Sequence, residues 1–344
     1  MTTTLQHRDR RPGRVRRALR ATTLLAAVAS MTAAIGACGL ASGSTPPFTV
    51  GAGSIKNIPA LDGVKVTVGS KEFTEQVILG YIIEFSLMAA GADVRDLTSI
   101  VGSRSTRDSQ TQGQVDVTYE YTGTGWINYL GNEKPIPDSR KQFEAVRDED
   151  LKKNNIVWTA VAPMDNTYAL AASPEVIKST GVKTLSEYGA LVNKNPGAAR
   201  TCLETEFRSR QDGFPGVAST YGFPVTKAQV SILQTGIIYQ ATADATQCKF
   251  GEVFTTDGRI KALGLQLLTD DKQFFPHYNA AIVMREAYAK EHPDIEKVMT
   301  PVSDKLTNDV ITDLNLQVDV QGKEPAEVAR DWLIKEGFVS KKGS

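Results

Sequence analysis

The sequence predicts an α/β protein in which strands and helices alternate along most of the chain. Residues 64–68 alternate apolar and polar side chains as a strand does, and the segment FTEQVILGYIIEFSLMAAG carries apolar residues at helical spacing. A tight turn at residues 69–71 separates the two. The same order of strand, turn and helix recurs toward the C-terminus, which is typical of an α/β architecture with mostly parallel strands.

The remaining elements follow the same patterns. A second unit of this kind begins near residue 163. Further strands are predicted at residues 97–101, 114–121, 168–172, 198–203, 228–233 and 250–255, and in the segments GRIKALGLQLL and NAAIVM. Helices are predicted at residues 104–113 and 124–130, in PEVIKST and LSEYGALV, and over roughly residues 293–336.

The first 37 residues have the pattern of a secretory signal peptide. HRDRRPGRVRRALR is strongly basic, and ATTLLAAVASMTAAIGA after it is apolar, uncharged and rich in small residues. The apolar run is at the short end of what can span a bilayer. We therefore expect residues 1–37 to direct export and then to be removed.

The end of this segment predicts a lipid anchor. Ile35-Gly36-Ala37-Cys38 resembles a bacterial lipobox, in which an aliphatic residue and two small residues precede a lipidated cysteine. The alternative is an ordinary cleavage site beside an unpaired cysteine. Residues 38–61 are rich in Gly, Ser and Pro, which predicts a flexible tether. Since several acyl chains on one cysteine hold a membrane firmly, we expect an extracytoplasmic protein on the outer face of the cytoplasmic membrane.

Charge and cysteine content narrow the function further. The chain has 39 basic and 39 acidic residues, and loss of the arginine-rich leader leaves it net acidic. This charge disfavours nucleic-acid binding, which depends on clustered Lys and Arg. After the leader and Cys38, only Cys202 and Cys248 remain. An oxidising extracytoplasmic setting favours a disulfide between them, the alternative being two separate buried thiols.

The sequence offers little support for catalysis. Only His277 and His292 follow the leader, and no Cys or His stands at metal-ligand spacing. There is no Gly-x-Ser-x-Gly motif and no phosphate-binding glycine loop. We interpret His277 as a loop or structural residue, and Asp116 and Glu120 as surface or ion-paired carboxylates. We therefore expect no enzyme activity, no cofactor and no metal.

Ligand binding suits the polar clusters better. SKEFTEQ, EYTGT and FTTDGRI each follow a predicted strand, where ligands bind in open α/β sheets. Lys71, Thr124 and Arg210 can donate hydrogen bonds to a carboxylate. Glu206 stands four residues before Arg210 and would hold it if that segment is helical, the alternative being a surface pair. Tyrosines near these loops fit a quaternary ammonium group, although each alone also fits simple packing.

Five motifs together resemble a known family. GSKEFTEQVILG, DVTYEYTGTG, NTYAL, EFRSRQDGFPG and FTTDGRIKALGLQLLTDDKQFFPHYNAAIV resemble the glycine betaine/carnitine/choline-binding proteins of osmoprotectant ABC importers, the ProX/OpuC-type family. The resemblance covers about residues 62–340. It implies a type II periplasmic-binding-protein fold, in which two α/β lobes joined by two crossover strands close on ligand in the cleft. Its implied boundaries are residues 62–162 and 259–344 for lobe I, and residues 163–258 for lobe II.

The resemblance also implies site residues. The trimethylammonium box falls on Tyr121, Tyr168, Phe254 and Tyr278, and the carboxylate site on Lys71, Thr124 and Arg210, with Glu206 supporting Arg210. Phe254 departs from the family's usual tyrosine. Glu72 stands where the family often has asparagine, and we expect it at the cleft edge. Trp126 and Tyr129 are expected in the core.

The function implied is that of a monomeric receptor without catalysis. It would bind glycine betaine or a related quaternary ammonium osmoprotectant and deliver it to a membrane permease. Choline, carnitine or another solute in an altered box is the alternative ligand. From a different class, a surface-anchored enzyme acting on choline-like compounds would need a nucleophile and base that the sequence does not supply.

Overall fold

The computed structural model describes residues 1–2, 43–227 and 229–342 of the chain. Apart from Met1 and Thr2, the predicted signal peptide lies outside the described residues, and so does Cys38. None of the helices within the described ranges combines the length and the apolar character that a membrane span requires.

The first of two large sheets contains five strands in the order β3-β2-β4-β11-β5. Their bounds are Lys65–Lys71 for β2, Asp93–Ile100 for β3, Val117–Tyr121 for β4, Ile156–Thr159 for β5 and Ala280–Arg285 for β11. Strand β2 pairs in parallel with β3 and β4, whereas β11 is antiparallel to β4 and β5. One strand therefore runs against the other four, so the expectation of mostly parallel strands is confirmed for this sheet. This sheet and its helices form the first lobe.

The second large sheet also has five strands, in the order β10-β6-β9-β7-β8. Their bounds are Tyr168–Ala172 for β6, Thr201–Leu203 for β7, Val230–Ile232 for β8, Phe250–Phe254 for β9 and Gln266–Leu267 for β10. Again a single strand, β6, is antiparallel to its neighbours, and β7 pairs in parallel with both β8 and β9. This sheet and its helices form the second lobe.

The chain passes between the two lobes twice. It crosses from β5 to β6 through residues 160–167, and returns from β10 to β11 through residues 268–279. The crossovers touch at an isolated antiparallel bridge between Asp165 and Asn279. Because β10 pairs with β6, the second sheet includes a strand beyond residue 258, where the resemblance placed the lobe boundary.

Helices cover the faces of both sheets. In the first lobe they are α1 (Thr74–Ala89), α2 (Ser103–Thr111), α3 (Thr122–Thr124), α4 (Ser139–Asn154), α10 (Glu286–Glu291), α11 (Asp294–Ser303), α12 (Asn308–Asp319) and α13 (Pro325–Lys335). In the second lobe they are α5 (Pro174–Thr180), α6 (Leu185–Lys194), α7 (Phe214–Tyr221), α8 (Thr235–Asp244) and α9 (Gly258–Ala262). A 3₁₀ turn at Pro196–Ala199 precedes β7.

Helix α1 is central to the first lobe because it is buried on almost all sides. Ile78, Leu79, Ile82 and Phe85 are all fully buried, and helix α13 packs against it. A helix that is apolar around most of its circumference requires such a position inside the core. Because β2 ends at Lys71 and α1 begins at Thr74, residues 72–76 lie at the carboxyl end of β2.

Two local expectations are corrected. The helix predicted at residues 124–130 begins two residues earlier as α3 and continues as a π-helix over Gly125–Tyr129. The strand expected in GRIKALGLQLL is mostly the short helix α9, with only the two-residue β10 after it. Its apolar residues Ile260 and Leu263 pack under the second sheet, which explains why they read as a strand.

The segment predicted as a flexible tether is folded where the structure describes it. Ser44 forms a bridge to Asp96, and Val50–Ala52 forms the two-stranded sheet β1-β12 with Val339–Lys341. Ile55 and Leu61 are buried in the core of the first lobe. Composition suggested a linker because Gly, Ser and Pro dominate, but the few apolar residues among them find partners on the body.

A disulfide joins Cys202 to Cys248 in the second lobe, with their Cα atoms 5.6 Å apart. Both residues are buried, and Ile238 of α8 packs against them. Cys202 lies in β7, and Cys248 lies two residues before β9. The bond therefore connects two strands that are neighbours in the sheet.

Candidate functional site

A small cavity of about 40 Å³ lies between the two lobes, and all eight residues of the predicted site line it. Those residues are Lys71, Tyr121, Thr124, Tyr168, Glu206, Arg210, Phe254 and Tyr278. Six further residues complete the wall: Glu72, Phe73, Ser103, Asn166, Glu204 and Thr235. Residues distant in sequence therefore meet at one place in the fold.

Aromatic rings form one end of the cavity. The Tyr168 ring centroid lies 5.1 Å from that of Phe254 and 5.4 Å from that of Tyr278, which it meets edge-on at 87°. Phe73 stacks 5.0 Å from Phe254 and 6.2 Å from Tyr121. All five rings line the cavity, and clustered aromatic rings of this kind attract a cation.

Strand ends place these rings. Tyr121 is the last residue of β4, and Tyr168 begins β6 directly opposite Phe254 at the end of β9. Tyr278 lies just before β11. A Cβ at Gly123 would come within 2.6 Å of the Tyr278 ring, so only glycine at this position lets that ring pack against the turn after β4.

Arg210 is the most densely bonded group at the other end. Its Nε and Nη2 atoms donate to Asp212 at 2.8 and 2.5 Å, and its Nη1 atom donates to Glu206 Oε1 at 2.8 Å. Nη2 also lies 3.3 Å from Thr124 Oγ1. The pairing of Glu206 with Arg210 is present, although it forms in a hydrogen-bonded turn rather than a helix.

Asp212, which the sequence did not predict as a site residue, binds both Arg210 and the hydroxyl of Tyr278. It accepts hydrogen bonds from the Tyr278 hydroxyl at 2.7 Å and from Asn128 of the first lobe at 3.0 Å. Burial alone would raise the pKa of Asp212, but the charge and hydrogen bonds of Arg210 outweigh burial and lower that pKa. The pair is therefore ionised at neutral pH.

Lys71 is also paired with a carboxylate. Its Nζ atom lies 2.6 Å from Glu120 Oε1 and 5.1 Å from the centroid of the Tyr121 ring. The Tyr129 hydroxyl donates to the other oxygen of Glu120 at 2.6 Å. Since an ammonium has three N–H donors, Lys71 keeps donors beyond the one that Glu120 uses. Asp116 pairs instead with Arg285, at 2.8 Å, so both carboxylates are ion-paired as expected.

Glu206 connects the two lobes. Its Oε2 atom accepts a hydrogen bond from the backbone N–H of Ser103, the first residue of α2, at 2.9 Å. Burial opposes ionisation of Glu206, but the charges of Arg210 and Lys71 prevail and lower its pKa. Together with the Arg210–Thr124 contact, this bond shows the lobes closed on each other at the charged end.

Several neighbours of the site escaped sequence reasoning. Phe73 and Glu75 lie in the SKEFTEQ cluster after β2, where the sequence singles out only Lys71 and Glu72. Glu75 is buried and accepts hydrogen bonds from Tyr121, Asn166 and two further side chains. The position of the cluster at a strand end was the available signal, but it could not identify which side chains turn inward.

Trp126, Tyr129 and His277 do not line the cavity, and Glu72 lies at its edge. Trp126 packs in a separate apolar cluster with Trp158, and Tyr129 is bonded to Glu120 behind the wall. His277 contacts Asp165 and the carbonyl of Pro137. Glu72 is exposed at the cavity edge and accepts from the Gly102 N–H at 3.1 Å. Nowhere in the described ranges do three or more His, Cys, Asp or Glu residues gather as a metal site would need.

Two α/β lobes, two crossovers and a cavity between the lobes define the class as a type II periplasmic solute-binding protein. Residues 64–335 match the family model described as the substrate binding domain of ABC-type glycine betaine transport systems. This chain therefore belongs to that family. It is a solute-binding protein rather than an enzyme, as the sequence predicted.

Individual relatives agree with this assignment. The glycine-betaine-binding protein of Pseudomonas aeruginosa is 33% identical over 271 residues, covering 77% of this chain and 86% of the relative. The ergothioneine transport permease/ergothioneine binding protein EgtU of Helicobacter pylori is 32% identical over 280 residues, 81% of this chain and 49% of the relative. A solved structure described as a glycine betaine/carnitine/choline ABC transporter superposes with a TM-score of 0.64 at 25% identity, covering 80% of this chain and 99% of that one.

Proposed function

We propose that this protein is the receptor of an osmoprotectant ABC importer and binds glycine betaine or a related quaternary ammonium compound with a carboxylate. The observation that carries this proposal is one cavity with two unlike ends. Aromatic rings line it together with Arg210, Lys71 and Thr124, and Lys71 and Arg210 lie 5.1 and 5.3 Å from the nearest ring centroids, where the two ends meet. A betaine has a matching cation and anion a short distance apart.

The aromatic end suits a group that cannot donate hydrogen bonds. A quaternary ammonium is held by ring faces, and its attraction to them grows as water is excluded. Tyr121, Tyr168 and Tyr278 are buried, so the rings around a bound cation are shielded from solvent. Phe254 supplies a face without a hydroxyl.

The charged end has donors that fit a carboxylate. Arg210 has five N–H donors, and Asp212, Glu206 and Thr124 use four of them. Lys71 and the Thr124 hydroxyl add donors from the first lobe. A ligand carboxylate would thus contact both lobes and favour their closure, because such a ligand binds the closed state better than the open one.

Calorimetric titration of the full chain in detergent tests this proposal, with glycine betaine, carnitine, choline and ergothioneine side by side. Ergothioneine is included because it shares the trimethylammonium and carboxylate groups and names one relative. Micromolar or tighter binding of glycine betaine with weak choline binding supports both ends of the site. Equal or better choline binding would contradict the carboxylate end, and no binding by any of the four would contradict the proposal as a whole.

We further propose that the receptor is monomeric, anchored through lipid on Cys38 outside the cytoplasmic membrane, and that it hands ligand to a membrane permease. The lipobox pattern and membership of an ABC importer family support this. Cys38→Ala should shift the protein from the membrane to the soluble fraction and abolish labelling by an alkyne fatty acid. Membrane retention with unchanged labelling would contradict the anchor.

A further inference from the structure

Glu75 is a buried carboxylate behind the aromatic end of the cavity. It is 3% exposed, and four side chains donate to it. Oε1 accepts from the Tyr121 hydroxyl at 2.7 Å and Asn166 Nδ2 at 2.8 Å, whereas Oε2 accepts from the Thr256 hydroxyl at 2.5 Å and Asn315 Nδ2 at 3.0 Å. Four donors fill the acceptor sites of an ionised carboxylate.

The donors to Glu75 are all neutral groups. Burial raises the pKa of this carboxyl above its usual range, although its four hydrogen-bond partners act in the opposite direction. Arg210 and Lys71, by contrast, are bonded to Asp212 and Glu120. The four donors are arranged for a carboxylate that accepts at both oxygens, and none of them carries a charge that would cancel its own.

Tyr121 connects this charge to the cavity. Its ring lines the cavity, and its hydroxyl donates to Glu75 on the far side. Burial and the charge of Glu75 both raise the pKa of Tyr121, so the hydroxyl remains a donor. Hydrogen bonding of a phenol to a carboxylate makes its ring more electron-rich, and a richer ring face attracts a cation more strongly.

The donors also come from different parts of the fold. Tyr121 and Asn315 belong to the first lobe, Asn166 to the crossover at residues 160–167, and Thr256 follows β9 of the second lobe. Thr256 stands two residues after Phe254, another wall of the aromatic end. Glu75 thus receives its full set of donors only when the second lobe lies against the first.

We propose that Glu75 is a positioning residue that gives the aromatic end its preference for a positively charged headgroup, acting through the Tyr121 hydroxyl. It also joins this end to closure of the lobes through Thr256. The inference depends on the proposed quaternary ammonium ligand. It assigns to one buried carboxylate a selectivity that ring faces alone would provide more weakly.

A double-mutant cycle on the full chain tests the connection through Tyr121. Calorimetry measures the Kd of glycine betaine for the wild type, Glu75→Gln, Tyr121→Phe and the double variant. Each single change should weaken binding by about 10-fold or more, the size expected for loss of a charge-assisted hydrogen bond. If the two residues act through one connection, the Kd of the double variant should exceed the larger of the two single-variant Kd values by no more than about 3-fold. The proposal would be overturned if the fold-change in Kd of the double variant equalled the product of the two single changes. It would also be overturned if Glu75→Gln bound glycine betaine as tightly as the wild type.

A neutral analogue separates charge selectivity from a purely structural effect. In 3,3-dimethylbutanoate a tert-butyl group replaces the trimethylammonium while shape and carboxylate remain. Its affinity, measured by displacement, should change less than 3-fold in Glu75→Gln and Tyr121→Phe, so both variants should narrow the preference for betaine. Equal losses for the two ligands would overturn the inference, and Tyr121→Phe decides alone if Glu75→Gln does not fold.

Glu84→Gln is the matched control. Glu84 lies on the same helix α1 and is fully buried, but it does not line the cavity. Its replacement should leave both affinities unchanged. A wild type that binds no betaine would overturn the proposed function itself. Wild-type binding with an unchanged ligand preference in Glu75→Gln would overturn only the role of Glu75.

Discussion

The two ends of the cavity differ in how far the protein satisfies its own groups. At the charged end, Arg210 is bonded to two carboxylates and Lys71 to a third. At the aromatic end, Phe254 offers a ring without a polar group, and the centroid of the Tyr168 ring lies 5.3 Å from the Arg210 guanidinium. A ligand cation therefore meets ring faces that need no hydrogen bond, whereas a ligand carboxylate must share donors that already have partners.

The two ends therefore contribute differently to ligand binding: one to affinity for a cation, the other to selection among cations by their carboxylate. Burying the Arg210 pairs costs desolvation, but that cost is met during folding, and the guanidinium is then held in one orientation. Additional acceptors at the same end repel a misplaced anion. The charged end thus orients a ligand that carries both charges, while the aromatic end supplies an attraction open to many quaternary ammonium compounds.

The greatest loss of glycine betaine affinity is expected when Arg210 is removed from the charged end. Arg210→Ala should weaken glycine betaine binding by about 100-fold or more, because it removes the main donor and leaves Asp212 and Glu206 without their cation. Choline should lose far less. Loss of one partner from a buried pair should also lower the free energy of unfolding by about 3–5 kcal/mol.

Calorimetry with both ligands and thermal unfolding measure these effects. Arg208→Ala is the matched control, since Arg208 stands on the same turn but does not line the cavity. Equal losses for betaine and choline would show that Arg210 does not discriminate by the carboxylate.

The next effect removes a wall of the aromatic end. Tyr168→Ala should weaken both betaine and choline by about 10- to 100-fold, since each loses one ring face of a desolvated cation site. Tyr168→Phe should keep most of the affinity. Trp126→Ala, outside the cavity, should lower the thermal midpoint and leave the Kd unchanged. A Tyr168→Ala variant with wild-type affinity for both ligands would remove this ring from the site.

A third prediction concerns the buried acids under the charged end. Burial raises the pKa of Glu252 to about 8, and its Oε2 accepts from the Glu204 N–H at 2.8 Å. Between the unfolded pKa of about 4.3 and this value, the folded state binds more protons than the unfolded state. The contribution of Glu252 to the free energy of unfolding therefore falls as pH rises from about 5 to 8, by about 4 kcal/mol at most.

Glu252→Gln should flatten this dependence. Unfolding midpoints of the wild type and the variant across pH 5 to 8 provide the comparison. Identical slopes for the two proteins would show that Glu252 is already ionised in the folded state.

The smallest change in affinity is expected at Phe254, a ring of the aromatic end. Phe254→Tyr adds the hydroxyl that the family resemblance implies at this position and should strengthen betaine binding by no more than about 3-fold, since the ring face is already present. The change should act equally on choline, because Phe254 belongs to the aromatic end. Preferential gain for betaine in parallel titrations would place the new hydroxyl near the carboxylate instead.

The sequence predicted the architecture because its periodicity is clear and its motifs are specific. Strand ends at Tyr121 and Phe254 could be recognised from turn residues that follow directly. Arg210 and Glu206 could be paired from their spacing even though the segment is not helical. These inferences use only local order along the chain, which is what a sequence displays.

The missing parts depend on tertiary partners. Glu75 resembles any acidic residue in the first turn of a helix, and its burial follows from donors up to 240 positions away. Asp212 could be mistaken for a solvated loop residue beside glycine. The tether was misjudged for the same reason, since Val50 becomes part of a strand only because Val339–Lys341 lies beside it.

The small β1-β12 sheet has a consequence for protein engineering. Val50 lies opposite Lys341, so a segment near the start of the folded body and one near its end lie side by side on the first lobe. A short peptide could join them without disturbing either crossover, and new ends could then be opened in an exposed loop of the second lobe. Such a circular permutant would let a fluorescent domain be inserted where the lobes move relative to each other, turning the receptor into an optical reporter of its solute.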